Sequence, residues 1–380
     1  MRFRWHGQAR LCDAAGLWHQ AGKPAAAPCA LQDRPAALAL QTALGAPAFR
    51  IGGDGPAPEG EGMFETLTGG SSGTPRRIRR SQQSWIASFA VNAGLFGIEP
   101  GSAVATLGDL VHSLALYGAV EALHLGAELH HLAGLRPDRQ ARALADRRIR
   151  LLYATPAQLR ALIEAGQDWP DLRHVVIGGA RLDPGLRAAL SGRSDAMAHE
   201  FYGAAETSFI AISDAATPRG SVGRPYPGAE IRTDAAGRIW VRSPYLAASY
   251  AGPPGSALWQ DGWVSPGEAG RLEDGFLWLD GRIGRQVKIA DQTVQPEEIE
   301  AVLLAWPGIR AGAVLAQPDA RRGAVLVACY QGAIDEAALL TALRQSFGPL
   351  KAPRRLHLCA EWPVLPSGKT DLTALQARLT

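Results

Sequence analysis

The chain reads as an α/β protein in two parts. A large N-terminal layered α/β domain with a small β-barrel-like subdomain precedes a small α+β C-terminal domain. Three observations predict this. Short apolar runs alternate with helix-length segments from Phe64 to Ile177, the pattern of a layered, largely parallel sheet whose ligands sit at the strand C-terminal ends. From Gly220 the texture changes to Gly/Pro punctuation between short β-rich runs. After Gly284-Arg285 a new succession of hairpin, helix, two strands and helix begins. At 380 residues the chain is long enough for two cores. The expected boundaries are 1–284 for the large domain, about 220–284 for its β-rich part, and 285–380 for the small domain.

The first 60 residues are rich in Ala, Pro and Gly; a helix is expected over Ala36 to Leu44 and a loop over Asp54 to Glu61. Phe64 to Thr68 reads as a strand running into a glycine loop, and Trp85, Ile86, Phe89 and Ala90 mark one face of a helix from Gln82 to Phe96. Val104 to Leu107 is a short strand, with helices over Ser113 to Leu125 and Arg139 to Arg147. Leu151 to Ala154 is the next strand, closed by Thr155-Pro156, where proline suits a first helical position. His174 to Ile177 is a buried strand ending in Gly178-Gly179-Ala180. The later β-rich runs include Arg238 to Val241 and Gly275 to Leu279. In the small domain, a hairpin (Val287 to Val294) leads to a helix from Pro296, strands over Ala311 to Ala316 and Ala324 to Tyr330, and a helix from Asp335 to Phe347.

Composition bounds the function. Hydrophobic content of 47% and charged content of 20% describe a globular protein. The net charge of +3 comes from scattered arginines, with one dense cluster at Arg76-Arg77-Ile78-Arg79-Arg80. That cluster is either a solvated helix start or an attractor of phosphate, and its position directly after the Gly/Ser loop favours phosphate over nucleic acid. The four cysteines lack paired spacing, so neither a disulfide scaffold nor a zinc site is expected. His130-His131 and His199 show no metal-ligand pattern. No secretory leader and no apolar run of roughly 18 residues is visible, so a cytoplasmic protein without a membrane span is expected.

Five segments carry the chemistry. Thr68-Gly69-Gly70-Ser71-Ser72-Gly73-Thr74-Pro75-Arg76 is a hydroxyl- and glycine-rich loop of the kind that wraps phosphates, without being a Walker A loop. The others are Tyr202-Gly203-Ala204-Ala205-Glu206, Gly262-Trp263 through Gly270, Gly281 through Glu300, and Pro366-Ser367-Gly368-Lys369.

In this order and spacing the five segments resemble the AMP-forming, adenylate-forming superfamily: acyl- and aryl-CoA synthetases, peptide-synthetase adenylation domains and luciferases. The resemblance covers residues 60 to 375. It implies that a carboxylate attacks the α-phosphate of ATP to give acyl-AMP and pyrophosphate, after which a thiol displaces AMP. The thiol belongs to CoA or to a carrier-protein phosphopantetheine arm. Joining an anion to a polyphosphate requires neutralised charge and in-line positioning.

By this resemblance Thr68, Gly70, Ser71, Ser72, Gly73 and Arg76 cradle the β- and γ-phosphates, Arg76 standing where lysine is usual. Tyr202 stacks on adenine beside Gly203, and Glu206 helps hold Mg²⁺. Ala205 replaces the threonine whose hydroxyl touches the α-phosphate. Gly179 and Ala180 line the adenine side. Glu268, one methylene longer than the usual Asp, and Arg282 bind ribose. Lys288 belongs to the hinge segment with Val294, Pro296, Glu298, Ile299 and Glu300, whereas Arg285 and Asp291 depart from the hinge Asp and a Gly near the thiol tunnel. Lys369, on a mobile C-terminal lid, enters the site for adenylation, where an ammonium stabilises growing negative charge. His112, Gly118, Gly178 and Ala204 belong to the acid pocket, whose small apolar residues favour an aryl or apolar acyl group. Only 67 residues precede the phosphate loop, so the resemblance implies a reduced large domain. A nucleotide-binding relative without catalysis is the competing reading, suggested by Ala205, Pro266, Glu268 and Arg285.

Overall fold

The computed structural model describes residues 1–67, 76–365 and 370–379. Its centre is a nine-stranded sheet ordered Arg224–Pro225, Ser208–Ile212, Met197–Ala204, His174–Ile177, Leu151–Ala154, Ala103–Thr106, Glu128–His131, Arg10–Cys12, Trp18–His19. Pairing is parallel from Arg10–Cys12 through Met197–Ala204 and antiparallel at both edges. Such a sheet presents its strand ends on one edge, and those ends position the site.

The helices between the strands form where the local chemistry allows. Ser81 accepts from the Ser84 backbone N–H to start Gln82–Phe96, which ends at Gly97 in the left-handed region (φ 60°). Thr155 and Gln158 cap Pro156–Glu164 reciprocally, with proline in the first turn as expected. Asp183 caps Pro184–Ser191 by accepting from the Leu186 backbone N–H.

The N-terminal region differs from its sequence reading. Besides the helix Ala36–Ala43 it contributes Arg10–Cys12, Trp18–His19, Cys29–Leu31 and Ala48–Ile51. Strands this short have no readable periodicity; partners far along the chain create them, as when Arg10–Cys12 pairs with Glu128–His131. The arginine cluster is a strand, Arg77–Ser81, rather than a helix start. It pairs antiparallel with Met63–Leu67 in a five-stranded sheet.

The β-rich region is antiparallel, as expected. It resolves into a four-stranded sheet (Glu230–Thr233, Ile239–Arg242, Trp263–Ser265, Leu258–Gln260) and a two-stranded ribbon (Glu268–Glu273 with Phe276–Arg282). The C-terminal unit has a core of its own, with Ile289, Ile299, Leu303, Val314, Leu326 and Leu339 buried together. Strands Ile309–Asp319 and Gly323–Gly332 pair antiparallel, and Arg355–Leu358 joins the second in parallel. The helical segment Glu336–Lys351 is broken at Gly348 (φ 73°), ahead of Pro349. The four cysteines are all free, and no described helix is long and apolar enough to cross a membrane.

The large core is not wholly apolar. Glu121, fully buried, accepts from Asn92 Nδ2 (2.8 Å) and Tyr117 OH (3.0 Å), and also from Tyr153 OH. Tyr226 OH donates to Asn92 Oδ1 at 2.7 Å, extending the network. Burial drives the Glu121 carboxyl up to about 7. A second buried charge pair, Arg50 with Glu65 (3.1 Å), braces the loop after Ala48–Ile51, since Arg50 also donates to the carbonyls of Gly52, Gly55 and Pro56.

Candidate active site

The Met197–Ala204 strand turns back into Ser208–Ile212 at the carboxyl edge of the sheet, and the turn carries Tyr202 through Glu206. Gly203 is obligatory there: a Cβ would lie 1.8 Å from the Ser208 carbonyl oxygen. The half-buried Glu206 accepts from Tyr250 OH at 2.6 Å, and its backbone carbonyl accepts from the Ala247 N–H at 2.8 Å. Burial, then the Glu206 carboxylate, pushes the Tyr250 phenol up, so it remains a donor.

A second cluster forms beside this turn. In the Glu268–Glu273/Phe276–Arg282 ribbon, Glu268 and Arg282 are register partners, and Arg282 Nε lies 3.6 Å from Glu268 Oε1. The ribbon thereby sets a carboxylate and a guanidinium side by side. Tyr202 OH donates to Glu268 Oε2. Burial and that carboxylate push the Tyr202 phenol well above its ordinary value. Three residues expected around the nucleoside, from segments far apart in sequence, are thus brought together: a ring, a carboxylate and a guanidinium.

The other expected residues fall variously. Gly178, Gly179 (φ 89°) and Ala180 follow the His174–Ile177 strand at the same edge, and a Cβ at Gly178 would meet Leu114 at 3.3 Å. His112 is half-buried at the start of the Ser113–Leu125 helix and bridges to Leu67, where the Gly/Ser segment departs. Ala204 lies in the turn, its N–H donating to Thr207 Oγ1 at 3.1 Å. Gly118 is a packing residue: a Cβ would lie 2.6 Å from the Tyr153 ring, so this glycine lets the helix close on the sheet. Arg76 is half-buried, and its charge acts on Tyr250. Lys288 is exposed on the hairpin Val287–Ile289/Gln292–Val294. Thr68, Gly70, Ser71, Ser72, Gly73 and Lys369 lie outside the described residues.

Arg285, which departs from the hinge pattern, has a structural reason. Its guanidinium reaches Glu300 (2.8 Å), Glu297 (3.1 Å) and the Val314 carbonyl (2.9 Å), all in the small unit. Sequence reasoning missed Arg80 and Tyr250. Arg80 was masked by its basic neighbours, of which Arg77 and Arg79 pair with Glu65 at 3.3 and 3.8 Å. Tyr250 carries no sequence signal, because its role arises from strand pairing with Arg77–Ser81.

Among the described residues no group of three or more His, Cys, Asp or Glu side chains could hold a metal ion by itself. One carboxylate, Glu206, fits Mg²⁺ of the kind held by a single acidic side chain together with substrate phosphates.

Fold and site define a two-part α/β protein with a polar site at the carboxyl edge of its main sheet. The chain belongs to the AMP-binding enzyme family: the model of that family matches residues 35–251, and the AMP-binding enzyme C-terminal domain matches 298–369. It is 30% identical over 334 residues to the acyl-CoA ligase YhfT of Bacillus subtilis, covering 81% of this chain and 66% of that protein. It is 27% identical over 353 residues to a 3-hydroxybenzoate-CoA ligase of Aromatoleum sp. (strain CIB), covering 85% and 68%. The chain thus spans about two thirds of the length of these curated relatives. Among solved structures, the amide bond synthetase McbA of Marinactinospora thermotolerans superposes with a TM-score of 0.76 at 26% identity, over 93% of this chain and 80% of that one. ATP-bound MatB of Rhodopseudomonas palustris shares the fold, with a TM-score of 0.81 at 18% identity, over 98% and 96%.

Proposed function

We propose that the chain activates an aryl or apolar carboxylic acid with ATP, forming acyl-AMP and pyrophosphate, and passes the acyl group to the thiol of CoA. The convergence of Tyr202, Glu268 and Arg282 at one point carries this reading. A planar ring beside a carboxylate and a guanidinium is what a nucleoside needs: stacking for the base, and acceptors and donors for the ribose hydroxyls. YhfT and the 3-hydroxybenzoate-CoA ligase, both named as CoA ligases, support the same reaction class.

In this reading Tyr202 and Gly203 flank the adenine with Gly179 and Ala180, while Glu268 and Arg282 hold the ribose. The hydroxyls and backbone of Thr68 to Gly73, with Arg76, hold the β- and γ-phosphates. Glu206 holds Mg²⁺, which neutralises phosphate charge when bound. Lys369 reaches the reacting carboxylate and α-phosphate as the small unit closes, and its ammonium offsets the charge that grows there. His112, Gly178 and Ala204 border the acid, and the small unit, with Lys288 on its hairpin, pivots near Arg285. A carrier-protein phosphopantetheine arm is the second acceptor. Asp291, exposed at the tip of its hairpin, favours a thiol that brings no 3′-phosphate. A cytoplasmic location follows from this reading.

The test is carboxylate-dependent ATP–pyrophosphate exchange over a panel of aryl, short-chain and medium-chain acids. Exchange with one class is expected, followed by AMP release on adding CoA. ATP binding without exchange by any acid would move a non-catalytic nucleotide-binding role to the front.

A further inference from the structure

Arg80 is a fully buried guanidinium in the middle of the Arg77–Ser81 strand. Its fork donates through Nη1 to the Ala205 carbonyl, and through Nη2 to the Tyr245 carbonyl and the Ser208 hydroxyl. The Ser208 hydroxyl also accepts from Trp85 Nε1 at 3.2 Å. Arg80 Nε has no partner, and no carboxylate contacts the guanidinium, among the described residues. Glu206 is the acidic group whose field reaches it.

A buried cation satisfied only by neutral oxygens is poor for stability, since an apolar side chain of similar volume would usually serve better. What this cation does is grip a particular piece of backbone. Ala205 and Ser208 bracket Glu206, so two bonds from Arg80 hold both sides of the turn that carries that carboxylate. The neighbouring strand adds a third grip. Ser249–Tyr250 pairs with Arg77–Ser81 through Ser249↔Arg79 and Tyr250↔Ile78, and Tyr250 OH donates to Glu206 Oε1 at 2.6 Å. Glu206 Oε2 receives no hydrogen bond among the described residues and is left as a lone-pair donor. The strand that follows the Gly/Ser segment in sequence therefore also orients the Glu206 turn.

We propose that Arg80 is a positioning residue that clamps the Ala204–Glu206 turn, so that Glu206 Oε2 faces a divalent cation bound to the nucleotide phosphates. This rests on the nucleotide reading above. The turn is thus fixed from behind, through its backbone, by a side chain of the adjacent strand, although Ala205 itself carries no hydroxyl.

The test is a double-mutant cycle on ATP affinity, measured by calorimetry with magnesium and with EDTA, for the wild type, Arg80→Met, Glu206→Gln and the double variant. Magnesium is expected to tighten ATP binding by the wild type. Each single variant should lose about tenfold of that gain, the size of one charge-assisted contact, and the double variant should lose no more than Glu206→Gln alone. Binding with EDTA should stay unchanged, since only the cation contact is lost. Additive losses, or equal weakening with and without magnesium, would overturn the clamp and leave Arg80 as a packing residue. If Arg80→Met fails to fold, Arg80→Lys keeps the charge without the fork and is expected to show the same selective loss. Failure of the wild type to bind ATP at all would overturn the nucleotide reading and the clamp together; an affinity indifferent to magnesium, or additive losses, would overturn the clamp alone.

Discussion

The Tyr202 hydroxyl donates to the Glu268 carboxylate across a separation of 66 residues, joining the main-sheet hairpin to the antiparallel ribbon. With Arg282 on the other carboxylate oxygen, Glu268 is held from two sides, which offsets the freedom of its extra methylene.

Glu268→Ala should therefore weaken ATP binding more than Tyr202→Phe does. Losing the carboxylate removes the acceptor proposed for the ribose hydroxyls and takes one partner from Arg282, a cost on the order of tenfold or more in affinity. Tyr202→Phe keeps the ring and the Glu268 carboxylate, losing only an internal hydrogen bond that holds Glu268 in place, and should change affinity only about threefold. Calorimetric titration with ATP checks the order; the reverse order would place the nucleoside elsewhere.

Lys369→Ala should stop acyl-AMP formation while leaving thioester formation from supplied acyl-AMP largely intact. In the proposed role the ammonium acts on charge that grows only in the first half-reaction, so a loss on the order of a thousandfold is expected there. Pyrophosphate exchange and single-turnover thioester assays separate the two steps, and equal losses in both would refute the role.

Stability should depend on pH through four buried or half-buried histidines and, opposed to them, the buried Glu121. His124, His130, His131 and His199 are each pulled down to about 4, first by burial. The unfolded chain then takes up more protons, so stability falls as pH drops from about 6.5 towards 4. Glu121, pushed up to about 7 by burial, acts the other way: its contribution is full below about pH 4.5 and is lost as pH rises through about 7. Glu121→Gln removes that term. The stability difference, wild type minus variant, should fall by about 3 kcal/mol between pH 4.5 and 7.5 in denaturant titrations. A flat difference would mean that Glu121 titrates normally.

Arg285→Ala should loosen the small unit. The guanidinium is 22% exposed and faces two carboxylates, of which Glu297 is pushed up by burial, so its removal leaves two acidic groups confronting each other. A loss of about 2 kcal/mol is expected, less than for a fully buried pair. It should appear in the unfolding of the C-terminal unit, followed by hydrogen exchange of its peptides, with the large domain's transition unmoved. A shift in the large domain's transition instead would contradict the assignment of Arg285 to the small unit.

Much of this was legible in the chain itself. The helix Gln82–Phe96, the strand His174–Ile177 and the hairpin ahead of Pro296 follow from periodicity, capping and turn residues, which act over a few positions. Arg10–Cys12 and Ser249–Tyr250 were not legible, because strands of three and two residues exist only where a distant strand supplies their hydrogen bonds. Gly118, expected in the acid pocket, is also the place where a helix closes against Tyr153, a contact no spacing rule contains.

Residue types and their order are legible along the chain: the Gly/Ser segment, the Tyr202–Glu206 and Glu268 segments, and Lys369. They are legible because turn chemistry, periodicity and motif spacing are local. Only the tertiary structure decided how those residues are held. It put Tyr202 against Glu268, joined Arg285 to Glu297 and Glu300, and aimed Arg80, out of a run of basic residues, at the back of the Glu206 turn. The physical reason lies in the sheet. On one strand alternate side chains face opposite ways, so adjacent arginines of equal charge meet different partners, and pairing with distant strands chooses those partners.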